Sequence, residues 1–161
     1  MKKLLPFLVA LFAFSFQNLN AQTRIISGHP DFNIKVNRCV ANGKSVFLDL
    51  VLNNEGINDI ERIKLWISSI CGAISCYDDQ GNICNSDLIY VKVANLKEYR
   101  RTETNDFKIL SGVPMKISIR IDDFSISAES IARITLPFEC SAWGLNSEKP
   151  AKIYNIPINR D

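Results

Sequence analysis

The segment CYDDQGNIC, from Cys76 to Cys84, places two cysteines, two adjacent aspartates and a glycine within nine residues. An EF-hand calcium loop needs oxygen ligands at alternating positions, a glycine at the sixth position and a bidentate glutamate at the twelfth. Counted from Asp78, the glycine stands at the fourth position and the twelfth residue is Ile89. A zinc site would need closer spacing, such as C-x2-C, and the one histidine, His29, is distant in sequence. The spacing therefore predicts neither a calcium nor a zinc site.

A β-hairpin accounts for the same segment. If Asp79-Gln80-Gly81 forms a three-residue loop, Gly81 takes the positive-φ position at little steric cost. Counting outward from this loop places Cys76 directly opposite Cys84. Cysteines that face each other in a non-hydrogen-bonded pair are close enough to be joined. We therefore predict a disulfide between Cys76 and Cys84.

The sequence leaves the connectivity of the cysteines open. There are five of them, at Cys39, Cys71, Cys76, Cys84 and Cys140. Because five is odd, at least one stays free or pairs between chains. Cys71 and Cys76 flank the tetrapeptide GAIS, and a bridge between them is the alternative. A two-residue turn at Gln80-Gly81 would favour that alternative, since it would set Cys76 opposite Asn85.

Catalytic motifs are absent from the sequence. There is no G-x-S-x-G, no H-E-x-x-H and no phosphate-binding glycine loop. Adjacent carboxylates such as Asp122-Asp123 are more often turn formers than catalysts. A nucleophilic cysteine would need a base, and His29 has no recognisable partner motif. We predict a non-catalytic protein with no metal and no cofactor.

The N-terminus has the three features of a secretory signal peptide. Met1-Lys2-Lys3 is basic, the run from Leu4 to Phe16 is apolar, and Ala21 is a suitable last residue before cleavage. We expect residues 1–21 to be removed and the protein to be periplasmic or extracellular, without membrane insertion after cleavage. Without Lys2 and Lys3, seventeen basic residues balance seventeen acidic ones. A neutral balance without basic clusters in the sequence argues against nucleic acid and against a strongly anionic surface as partner.

Residues 22–161 read as short, β-rich segments separated by turns. The segment SVFLDLVLNN alternates, with Val46, Leu48, Leu50 and Leu52 on one face and Phe47, Asp49 and Val51 on the other. Before it, Asn42-Gly43 is a strong hairpin signal. About nine such strands predict one all-β domain, an antiparallel immunoglobulin-like sandwich. The polar stretch KEYRRTETNDF is predicted to be a long loop or an irregular edge.

The order of several motifs is similar to that of a known group of proteins. These motifs are RCVANGKSVFLDLVLNNEG, CYDDQGNIC, LSGVPMKISIRI, SAESIARITL and IYNIPI. Their order resembles that of small secreted immunoglobulin-like domains of unknown function from Bacteroidetes-type bacteria. The resemblance implies an antiparallel sandwich and an envelope location. It implies no activity and no catalytic residues.

A binding module is the function class that these observations favour. Sandwich domains expose loops at their ends, and recognition often lies there. The candidate contact residues are Trp143, Tyr99, Arg100, Arg101 and Trp66, and the partner is a protein or a carbohydrate. A structural envelope component that assembles through a sheet edge, with a possible homodimer, is the first alternative. A secreted hydrolase accessory or weak enzyme is the second.

Overall fold

The chain is almost entirely β-structure in the computed structural model, which describes residues 22–66, 73–100, 104–140 and 150–160, without the side chains of 62, 66, 104–106, 139 and 140. Thirteen strands occur in these ranges. They are β1 Arg24–Ile26, β2 Phe32–Asn42, β3 Ser45–Asn54, β4 Ile60–Trp66, β5 Ser75–Asp78, β6 Ile89–Val93, β7 Tyr99–Arg100, β8 Thr104–Ile109, β9 Met115–Ile121, β10 Ser130–Leu136, β11 Phe138–Cys140, β12 Ala151–Pro157 and β13 Asn159–Arg160. One short 3-10 helix, Ser86–Leu88, precedes β6.

The strands form three sheets that share one hydrophobic core. The six-stranded sheet has the order β13-β2-β3-β9-β6-β7, the four-stranded sheet β1-β12-β10-β5, and the three-stranded sheet β11-β4-β8. The strand pairs are antiparallel, apart from β13, which runs parallel to β2. The predicted all-β sandwich is confirmed. The structure has more strands than the nine predicted, because strands of two or three residues are too short to show alternation in the sequence.

Alternating side chains place the core where the sequence predicted it. Val46, Leu48, Leu50 and Leu52 of β3 are fully buried, and so are the inward isoleucines of β9. Period-2 alternation places the residues between them on the outer face of the sheet. The faces of the sheets are thus set by the pattern, and the outer faces carry the polar and aromatic side chains.

Two local features of β2 differ from the simplest expectation. Asn42 pairs with Ser45, so the turn consists of Gly43 and Lys44 rather than Asn42 and Gly43. Gly43 has φ +59°, and no positive φ occurs at Lys44, as a type II′ turn requires. A bulge between Val36 and Arg38 shifts the register, which turns Cys39 into the core and Arg38 outward.

Candidate functional site

The segment CYDDQGNIC forms the predicted hairpin. The Asp78 N–H donates to the Asn82 carbonyl at 3.0 Å, and Tyr77 pairs with Ile83. Gly81 has φ +85° at the end of the three-residue loop. The Cys84 N–H donates to the Cys76 carbonyl at 2.9 Å, so the cysteines face each other in a hydrogen-bonded pair, not in the non-hydrogen-bonded pair expected. The Cα spacing of a hydrogen-bonded pair, ~5.5 Å, still lies within the range that a disulfide can join.

The two adjacent aspartates of this hairpin have different hydrogen-bond partners. Asp78 is buried, and its carboxylate accepts hydrogen bonds from the backbone of Gln80 at 3.0 Å and from the backbone and side chain of Asn82 at 2.7 and 2.8 Å. Asp79 points elsewhere and accepts the N–H of Glu129 at 3.0 Å. The two side chains therefore point in different directions. Asp78 organises the loop from inside, which is a structural use of the carboxylate.

The Cys76 and Cys84 thiols lie in hydrogen-bond contact and are not joined in the structure. The hydrogen bond from Cys76 lowers the pKa of Cys84, while the same bond and burial raise the pKa of Cys76. Cys84 is also the more exposed of the two, so it is the thiol that ionises first. The disulfide between them stays a prediction, and Cys71 of the alternative pair lies outside the described residues.

Two other candidate reactive groups have local structural roles. Burial raises the pKa of the Cys39 thiol to about 12, against a smaller opposite effect of Arg160, so it stays protonated at neutral pH. His29 accepts the Asp31 N–H on Nδ1 at 3.2 Å and packs on Phe32 with ring centroids 4.6 Å apart. In the described ranges, no three His, Cys, Asp or Glu side chains are grouped so that they could hold a metal ion.

The candidate contact residues do not gather into one site. Trp143 and Arg101 lie outside the described residues, and Trp66 ends β4 with a side chain that is not described. Tyr99 and Arg100 form β7, the edge strand of the six-stranded sheet. Tyr99 packs against the core, whereas Arg100 is exposed on the outer face. Of these two residues, Arg100 is the more exposed.

Arg100 belongs to a row of side chains that crosses five strands of the outer face. Strand pairing aligns Val40, Phe47, Arg120, Tyr90 and Arg100 in that order, from β2 to β7. The guanidinium carbon of Arg120 lies 4.1 Å from the centroid of the Tyr90 ring, and that of Arg100 lies 5.6 Å from it. Strands lie ~4.8 Å apart, so the row is ~19 Å long.

Two further rows complete a surface that we call the basic face. Arg38, Asp49, Ser118 and Lys92 form the second row, and Lys35, Val51 and Lys116 form the third. The basic face thus has six cationic side chains, at positions Lys35, Arg38, Lys92, Arg100, Lys116 and Arg120. Three carboxylates oppose them, namely Asp49 within the face and Glu98 and Asp122 beside Arg120. The surface has an excess of positive charge.

Asp49 is the buried centre of the basic face. Its carboxylate accepts the Ser118 hydroxyl at 2.7 Å and lies 3.2 Å from Arg38 Nε and 3.3 Å from Lys116 Nζ. Burial alone would raise the pKa of Asp49, but these hydrogen bonds and the two charges outweigh it and hold the pKa below its usual value. Asp49 therefore stays ionised and fixes the two cations in place.

The remaining cations are not neutralised within the described part of the chain. Lys35, Lys92 and Arg100 are exposed and have no carboxylate within ion-pair distance there. Arg100 Nε donates to the carbonyl of Asp87 at 2.9 Å, which leaves its terminal nitrogens to other acceptors. An open groove of about 500 Å³ adjoins the face at Lys35 and Arg38, beside the bulge of β2.

Sequence reasoning missed the basic face because its cations are scattered from position 35 to position 120. They converge only in the folded sheet, where β2, β3, β9, β6 and β7 lie side by side in that order. Each of these cations occupies an outward position of an alternating strand, which the sequence shows. Recognising that they form one surface requires the order of the strands in the sheet. The basic residues form no cluster along the sequence, but six of them form a cluster in the folded sheet.

Comparisons with known proteins add little to this geometry. No family model and no curated protein matches the chain. Among solved structures, a family 123 glycoside hydrolase from Clostridium perfringens, described in a study of glycolipid glycan hydrolysis, is similar over 86% of this chain, with 12% identity and a TM-score of 0.39. The chain spans 26% of that enzyme. The TM-score is too low to carry an inference. Within the described ranges, no helix has the length and apolar character needed to cross a membrane.

Proposed function

We propose that the protein is an exported, non-catalytic binding module of the bacterial cell envelope, and that the basic face binds an acidic polysaccharide. The observation that carries this proposal is the convergence of six cations, against three carboxylates, on one outer sheet face. Export by residues 1–21 would bring the face into contact with envelope glycans.

The internal contacts of the basic face suit it to anion binding. Arg120 lies over the Tyr90 ring and is paired with Glu98 and Asp122, so its guanidinium is held in one orientation on the face. Lys35, Lys92 and Arg100 need break no ion pair with a described residue before they bind a ligand. Within each row the two cations stand two or three strands apart, which corresponds to about 10 or 14 Å at ~4.8 Å per strand. A linear polymer with repeating negative groups can contact several of them at once.

Two other classes of anionic partner fit the basic face less well. A membrane surface would be favoured by exposed apolar side chains next to the cations. The large exposed hydrophobic residues of the described chain, such as Ile57 and Ile126, do not belong to the face. Single-stranded nucleic acid would be favoured by free aromatic rings on which bases stack. Tyr90 is instead covered by guanidinium groups.

The test uses two double variants with equal changes in net charge. Lys92→Gln with Arg100→Gln removes two unpaired cations of the basic face. Lys44→Gln with Lys108→Gln is the control, since both lysines are paired with carboxylates away from the face. Binding to polygalacturonate is measured by titration calorimetry, with uncharged dextran as the blank.

The basic face of this variant is expected to bind about thirtyfold more weakly than that of the unchanged protein, because two contacts of ~1 kcal/mol each are lost. The control is expected to bind within about twofold, and binding should vanish near 1 M salt, where the Debye length is ~3 Å. Equal weakening in both variants would show that net charge alone matters and would contradict the proposal.

A structural role through a sheet edge is the second candidate. The segment predicted to be an irregular edge includes β7, an edge of the six-stranded sheet, and β8, an edge of the three-stranded sheet. Exposed edges can pair with another chain. Light scattering of the purified protein tests this role: a dimer that dissociates when proline replaces Lys108 in β8 would support it, and a monomer at high concentration would oppose it.

A further inference from the structure

The outer face of the four-stranded sheet has its own row of cations and aromatic rings, which we call the ladder. Strand pairing aligns Arg24, Tyr154, Arg133 and Tyr77, one from each of β1, β12, β10 and β5. In the next row along the strands, Ile153, Ile134 and Cys76 are fully buried. Because successive residues of a strand point to opposite sides, the ladder faces outward. Arginine and tyrosine therefore alternate across the whole sheet.

Each arginine of the ladder is stacked on a tyrosine. The guanidinium carbon of Arg24 lies 4.4 Å from the Tyr154 centroid, and that of Arg133 lies 4.6 Å from the Tyr77 centroid. Neither arginine is paired with a carboxylate of the described residues. Arg133 Nε is buried and has no hydrogen-bond partner among them. Two oriented guanidinium groups thus lack the anions that would normally satisfy them.

Among the described residues, the outward row next to the ladder adds one positive charge and no carboxylate, whereas Asp79 and Glu129 lie beyond the end of β5 and β10, where the Asp79 carboxylate accepts the Glu129 N–H. The neighbouring row consists of Ile26, Lys152, Thr135 and Ser75. Asp78 of β5 points inward, and its carboxylate accepts hydrogen bonds from its own loop. Ile83 is 70% exposed at one end of the ladder and Ile26 is 45% exposed near the other. An anionic chain with apolar ring faces complements this combination of cations and flanking isoleucines.

Spacing favours a linear acidic polysaccharide as the occupant. Arg24 and Arg133 are separated by one intervening strand, which places their Cα atoms ~9.6 Å apart. That distance is comparable with the length of two sugar units, so a glycan with one anionic group on alternate sugars would meet both. One face of each ring is covered by a guanidinium, which disfavours base stacking by nucleic acid.

We propose that the ladder is a second polyanion-binding surface, so that one molecule can bridge two chains of an acidic polysaccharide. This inference rests on the proposed function of the basic face, which belongs to the other sheet; both sheets bury their inner sides in one core, so the two outer surfaces lie on opposite sides of it. Two sites on opposite faces cannot bind adjacent segments of one short chain. They join separate chains, and long polymers are then cross-linked.

The test counts binding sites with short oligogalacturonates, and cross-linking with polygalacturonate, using the purified full chain. The ladder variant is Arg24→Gln with Arg133→Gln, and the basic-face variant is Lys92→Gln with Arg100→Gln. Calorimetry should give two oligomers per unchanged chain, one for each variant and none for the combination. Light scattering of the polymer mixture should rise only with the unchanged protein. The single variant Arg24→Gln, exposed on an edge strand, should weaken the ladder site about fivefold without affecting the fold.

Each result separates the two proposals. Two binding sites in the ladder variant would show that the ladder does not bind, and would overturn the ladder proposal. Loss of all binding in the basic-face variant would also overturn it, but would leave the function proposed for the basic face supported. If the basic-face variant keeps two sites, or if the ladder variant loses all binding, the function proposed for the basic face is wrong. Ladder-dependent binding of oligo-dT but not of oligogalacturonate would overturn the choice of a polysaccharide.

Discussion

Asp78 should contribute far more to stability than its neighbour Asp79, although the two aspartates look equivalent in the sequence. Asp78 accepts three hydrogen bonds inside the hairpin, two of them from backbone N–H groups of Gln80 and Asn82. Asp79 accepts one, from the exposed N–H of Glu129. The perturbation is a pair of matched variants, Asp78→Ala and Asp79→Ala.

The expected magnitude follows from these bonds. A hydrogen bond to a charged group contributes ~1.5–3 kcal/mol. The loop is exposed, so water can partly satisfy the donors after the change, and the lower value applies to the two backbone bonds. Asp78→Ala should therefore lower the free energy of unfolding by about 3 kcal/mol, and the melting temperature by about 10 °C for a domain of this size. Asp79→Ala should cost about 0.5–1 kcal/mol.

The assay is urea unfolding followed by tryptophan fluorescence, with both variants in the same redox state because a disulfide in the hairpin would itself stabilise the fold. Asp78→Asn provides a further comparison. It keeps an oxygen acceptor for the backbone but places an amide against the Asn82 amide, so its loss should be intermediate. An equal loss in the two alanine variants would refute the view that Asp78 organises the loop.

Three other predictions concern different parts of the chain. Non-reducing peptide mapping should recover Cys76 and Cys84 in one cross-linked pair of peptides; recovery of Cys84 as a free thiol would rule the bridge out, and a bridge over nine residues should add ~2–3 kcal/mol. The folded pKa of Asp49 is depressed, so its stabilising effect is present above ~pH 4 and is lost as the pH falls further. Asp49→Asn should therefore show a smaller loss of stability than the unchanged protein between pH 5 and pH 2, measured by urea unfolding; equal losses would contradict this. N-terminal sequencing of the exported protein should begin at or near Gln22, and a retained Met1 in a membrane fraction would exclude cleavage.

Much of the fold followed from local chemistry. Alternation in SVFLDLVLNN determines which side chains of β3 face the core, since successive residues of a strand point to opposite faces. Loop chemistry likewise determines the hairpin, because Gly81 can take the positive φ that the third loop position requires. These features depend on residues a few positions apart, so they can be read without knowing which strands are neighbours.

The two cation-bearing faces could not be read in that way. Arg100 and Arg120 meet at Tyr90 because β7, β6 and β9 are adjacent in the sheet, and Arg24 meets Tyr154 because β1 pairs with β12 near the other end of the chain. The bulge of β2 also turns Arg38 toward Asp49, a change of face that alternation alone does not predict. The sequence by itself determined the longer strands, their main buried sides and the hairpin from Cys76 to Cys84. Only the tertiary structure decided which outward charges became neighbours, because strand order depends on packing between residues far apart in the chain.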